Sequence, residues 1–111
     1  MIDWSRINEL RDEIGSDGFQ EVIDLFLEET EMAIRDMQTL PADATTREGQ
    51  MHFLKGASLN FGFKGLSQIC QTGEKAAASG DLNAVTPNQI ELMFMASKVD
   101  FLSGLDSNLV A

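Results

Sequence analysis

One imidazole has to serve the whole chain. Among 111 residues His52 is the sole histidine, there is no tyrosine, and Cys70 is the sole cysteine. An imidazole is mostly neutral at pH 7 and can act as a nucleophile or a base. If His52 lies on a helix, its neighbours on that face are Lys55 at i+3, Gly56 at i+4 and Leu59 at i+7. Lys55 puts a cation where it can stabilise anionic oxygens on or near the ring. Gly56 costs a helix interior roughly 1 kcal/mol against Ala, and nothing in the local pattern asks for a bend. One use for it is bare backbone one turn from the histidine, where another molecule can come close. The other is close packing of a neighbouring helix. The plain alternative for the whole cluster is a surface histidine beside a solvated lysine.

Other chemistries are poorly supported. One Cys with one His builds neither a disulfide framework nor a Cys/His zinc site. Cys70 falls on an apolar stripe and reads as a small core hydrophobe. The acidic positions Glu28, Glu29 and Glu31 read as a solvated face rather than a Mg²⁺ site. Neither a GxxxxGK[ST] loop nor a G-x-G-x-x-G turn occurs, so autokinase activity is not expected. Eighteen acidic residues against eight basic ones leave a net charge of −10. That balance argues against nucleic acid and against an anionic membrane surface as partners. Met1 to Leu10 mixes Asp3, Arg6 and Glu9 among its apolar residues, unlike a signal peptide. The richest apolar run, Leu92 to Ala96, is far too short to span a membrane. The expectation is a soluble, cytoplasmic protein.

The elements that must position His52 read as helices almost throughout. Trp4, Ile7, Leu10 and Ile14 mark a short amphipathic stretch ending at Gly15. Phe19, Val22, Ile23, Phe26, Leu27, Thr30, Ala33, Ile34, Met37 and Leu40 mark a long one of about six turns. Asp17 is its expected N-cap, with Gln20 closing a capping box, and Pro41 ends it. Asp43 caps a helix whose inward stripe is Ala44, Arg47 or Glu48, Met51, Leu54, Ser58 and Phe61, and Gly62 and Gly65 then punctuate a turn. Leu66, Ile69, Cys70, Gly73 and Ala77 line the next helix, which breaks at Gly80-Asp81. Thr86-Pro87-Asn88-Gln89 restarts the chain with a Thr cap, Pro at the first position and Gln three residues on. The last helix turns Ile90, Met93, Phe94, Ser97, Phe101 and Leu105 inward. Met95, Val99 and Leu102 widen that stripe, so the helix is expected to be well covered. Short connections favour antiparallel neighbours. The expected fold is all-α: an up-and-down antiparallel four-helix bundle with a short additional N-terminal helix, a single domain over residues 1–111.

The run His52-Phe53-Leu54-Lys55-Gly56-Ala57-Ser58-Leu59-Asn60-Phe61-Gly62 resembles the signature of histidine-containing phosphotransfer (HPt) domains of two-component phosphorelays. That signature is H-x-[apolar]-K-G-[small]-[small]-x-x-[apolar]-G, and each defined position is met. The similarity continues through Leu66, Ile69, Cys70 and Glu74. The resemblance implies that His52 is the phosphoacceptor. It would take a phosphoryl group through Nε2 from the aspartate of a response-regulator receiver domain, then pass it to another receiver aspartate. Lys55 would offset phosphoryl charge, Gly56 would admit the partner, and Glu74 would accept a hydrogen bond from Nδ1–H. Ile7, Leu10, Ile14, Phe53, Leu59 and Lys64 are candidates for receiver docking, with core packing the alternative for each apolar one and a plain surface lysine the alternative for Lys64. Mg²⁺ would sit on the partner receiver, so no cofactor or metal site is expected here, and a monomer is the simplest state. The phosphorylated hairpin of a sensor kinase fits less well, because Phe53 follows the histidine and the next proline is Pro87. The rival class is a helical docking module that binds a receiver or kinase without carrying phosphate. A phosphate drain for a receiver is a further variant.

Overall fold

The computed structural model describes residues 1–110. Five helices follow one another: α1 (Trp4–Ile14), α2 (Ser16–Thr39), α3 (Ala44–Asn60), α4 (Lys64–Ala78) and α5 (Pro87–Asn108). Among the described residues the only extended pairing is an isolated antiparallel bridge between Ile2 and Phe63. Helices α2 to α5 form a closed ring in which α2 touches α3, α3 touches α4, α4 touches α5 and α5 returns to α2. The molecule is rod-like, 46 × 22 × 20 Å. The expected all-α bundle with an extra N-terminal helix is the observed one.

Local chemistry sets most of the boundaries. Asp43 Oδ1 accepts from the Thr46 amide at 2.8 Å and opens α3. Thr86 and Gln89 form a reciprocal capping box, with Pro87 at the first position of α5. Two expected boundaries differ. No side chain caps α2: Gly15, at φ +94°, turns the chain between α1 and α2, and the helix begins at Ser16. Gln20 then donates along the helix to Asp24 Oδ1 instead of closing a box at Asp17. Gly65 lies inside the first turn of α4, its amide bonded to Met1 O, so Gly62 alone makes the reversal.

The core runs the length of the rod through Ile23, Ile34, Met51, Leu54, Leu66 and Ile90. At one end Trp4, Phe101, Phe63, Phe26 and Phe61 make a chain of ring contacts with centroids 4.3–5.8 Å apart. There α1 lies across the bundle as a strap. Asp3 N donates to Gly62 O, Arg6 reaches Asn60, and Arg11 meets the Val110 carbonyl. Ile7 and Leu10, for which the sequence leaves docking and core packing both open, are buried in this strap's underside, so they take the core role and are not docking residues. Their apolar face is the one α1 must turn inward to cover the end of the core. The expected cover over α5 is also absent. Met95, Val99 and Leu102 are about half exposed, and Leu92 more so, because this stripe of α5 is turned away from the core while Ile90, Phe94, Ser97 and Phe101 fill it.

Candidate functional site

His52 sits mid-way along α3, one position past the buried Met51, and its side chain is 70% exposed. The α3–α4 hairpin is the tightest pairing in the molecule and brings Glu74 opposite it. Glu74 Oε2 lies 2.6 Å from His52 Nδ1, and Glu74 Oε1 accepts from Lys55 Nζ at 2.5 Å. One carboxylate thus clamps both residues of the His-x-x-Lys pair. The Lys55 hydrogen bond holds the Glu74 carboxyl below its ordinary value; desolvation opposes it in part, and the His52 hydrogen bond lowers it further. An ionised Glu74 can only accept, so the proton on this edge of the ring belongs to Nδ1. In a neutral ring held this way the lone pair is on Nε2, and the side chain as a whole is largely open to solvent.

Two features keep the surroundings of the ring open. A Cβ built on Gly56 meets no atom within 4 Å, so close helix packing does not require this glycine. Gly49, one helical turn on the other side of His52, is equally unobstructed. Bare backbone therefore lies about one turn to either side of the imidazole.

The candidate docking residues separate in space. Phe53 is 57% exposed and lines a groove between α3 and α2 with Ala33, Met37 and Gly49. Leu59 is 62% exposed on the other flank, next to Gly56 and α1. It also shares the α3–α4 groove with Lys55 and Lys64, so both lysines face the same channel. Ile14 is at the far end of α1, outside these grooves. The Lys55–Glu74 ion pair and the Arg6–Asn60 tie beside Gly56 are contacts that the sequence reading did not contain. Among the described residues no cluster of three or more His, Cys, Asp and Glu could hold a metal ion.

Comparison with protein-family models adds independent support. The model described as the Hpt domain matches residues 21–100, and the chain belongs to that family. The match takes in His52, Lys55, Gly56 and Glu74. Such domains are helical bundles that interact with receiver domains in phosphorelays, and this fixes the general setting in which the chain works. Comparisons with curated proteins and with solved structures gave no match. Among the described residues, no helix is long and apolar enough to cross a membrane.

Proposed function

We propose that the chain is a phosphorelay intermediate that carries a phosphoryl group on His52. The observation that supports this most directly is the two-sided environment of the ring: Glu74 holds Nδ1 at 2.6 Å, while the side chain is 70% exposed beside an unobstructed Gly56. Nε2 attacks the phosphorus of a receiver's aspartyl phosphate. The N–P bond forms as the P–O bond to the aspartate breaks, and the receiver carboxylate leaves with the electron pair. The imidazole becomes cationic as it takes the phosphoryl group, and the Glu74 carboxylate offsets that charge through the Nδ1–H bond. Lys55, three residues along the same helix, has donors left over after its bond to Glu74 and can turn one to the phosphoryl oxygens. Transfer to a second receiver aspartate is the reverse displacement.

Gly56 and Gly49 admit the receiver backbone, while Phe53, Leu59 and Lys64 frame the contact. The reaction's Mg²⁺ belongs to the receiver. We read the chain as one domain, since α1, outside the matched segment, packs onto it through Trp4 and Ile7. A cytoplasmic location suits a partner of receivers. Incubation with a phosphorylated receiver should give acid-labile, base-stable label on the wild type and none on His52→Gln. Label retained by that variant would remove the assignment.

A further inference from the structure

The edge of the bundle opposite His52 carries a second built surface. Because α3 and α5 both pair with α2 and α4, they stand diagonally across the ring. The α2–α5 edge therefore faces away from the α3–α4 edge that holds His52 and Glu74. Along it runs a continuous groove made of two adjoining depressions, both lined by Glu31 and Lys98. Its floor is Leu27, Ile34 and Phe94. Met95, Val99 and Leu102 form the α5 wall, spaced four and three residues apart and 48–62% exposed. Leu92, 68% exposed, extends this stripe by one turn. From Leu92 to Leu102 is about 15 Å along the helix axis, close to three turns.

The opposite wall, on α2, is acidic. Asp24, Glu28 and Glu31 follow one another at helical spacing, and Glu91 joins them from α5. Four carboxylates therefore face a single cation among the lining residues, Lys98. Arg35, on α2, pairs with Glu31 at 3.3 Å, while Asp24 and Glu91 accept only neutral amide donors, from Gln20 and Gln38. An apolar wall beside a row of carboxylates is complementary to a helix with an apolar stripe edged by Lys or Arg. A second copy of this chain is a poor match, since it would set a net charge of −10 and the same acidic row against their own kind.

We propose that the α2–α5 groove is a docking site for a basic amphipathic helix of a partner protein, used while His52 stays free on the far edge. Tethering at one edge would raise the effective concentration of a receiver at the other without blocking it. The test uses a fluorescent Leu/Lys peptide of about 18 residues, patterned with Leu at helical spacing and long enough to fold on binding. Two further peptides serve as comparisons: a scrambled one of the same composition, and one with Glu in place of Lys. Fluorescence anisotropy at near-physiological salt measures affinity, and amide chemical-shift mapping locates the site. The patterned peptide should bind with shifts confined to α2 and α5. Glu28→Lys with Glu31→Lys, and separately Val99→Ser with Leu102→Ser, should each weaken it about tenfold or more. All four positions are exposed, so helicity should be unchanged in both variants. Absence of binding overturns the proposal. So does equal binding of the scrambled peptide, which would show mere attraction to an acidic chain, or a shift map centred on another face. Sedimentation showing that the face is taken by a second copy would also overturn it.

Discussion

At His52 the two ring nitrogens live in different worlds, and Glu74 makes the difference. A free imidazole favours the Nε2–H tautomer, which would hide the lone pair the transfer needs. A carboxylate 2.6 Å from Nδ1 reverses that preference. Glu74→Ala should therefore slow phosphoryl transfer by about tenfold or more, and ¹⁵N spectra should show the ring returning towards Nε2–H. Glu74→Gln separates the two roles of the clamp: its amide oxygen can still accept from Nδ1–H, so the tautomer should persist while Lys55 is released. Lys55 is the main reason the Glu74 carboxyl sits below its ordinary 4.5. The stabilisation this pair provides is therefore present above that range and is lost as pH falls through the lowered value. A ¹³C titration of Glu74 should move up towards 4.5 in Lys55→Met. Gly56 gives an opposite kind of prediction. With nothing within 4 Å of its would-be Cβ, Gly56→Ala should stabilise the helix by about 1 kcal/mol. Gly56→Gln should keep helicity and slow transfer, and an unchanged rate would refute the close-approach role.

Among the elements, the α3–α4 hairpin decides where Glu74 goes, and its turn depends on one backbone position. Gly62 has φ +73°, and a Cβ there would lie 2.7 Å from Asp3 O and 2.8 Å from Ile7 Cγ1. Both the dihedral and the strap of α1 forbid a side chain. Gly62→Ala should cost about 2 kcal/mol or more in chemical denaturation. It should also loosen the clamp, because α4 would lose its register against α3. Gly65 looks like an equivalent turn glycine in the sequence, but lies within α4 under Met1 and Met93. The contrast shows why turn residues alone could not place the reversal. Similarly, Asp17 has the right chemistry for a cap, but the chain had already turned at Gly15.

Over the whole molecule, acidity and apolarity are partitioned by the ring of helices. The aromatic end and the long core bury enough apolar surface to hold a chain of net charge −10 together, while most carboxylates stay in water. Cys70 illustrates the seal. It is fully buried at the α4 interface, and burial pushes its thiol up to about 12. A thiol reagent at pH 8 should leave native protein unlabelled and react on denaturation, so labelling reports global opening. Rapid labelling under native conditions would contradict this packing.

Composition, period-3.6 patterning and capping chemistry sufficed to determine five helices, most of their ends, and the His52-Lys55-Gly56 face, because each depends on residues within a turn or two of one another. Pairings between distant segments were beyond that reach. Only the tertiary structure decided that Lys55 and His52 share one carboxylate, that Gly56 faces open space, and that Ile7 and Leu10 seal the core instead of greeting a partner. It also left Met95, Val99 and Leu102 uncovered. An apolar residue carries the same pattern whether its neighbour is a helix or water, and which of the two it meets depends on how many helices surround it.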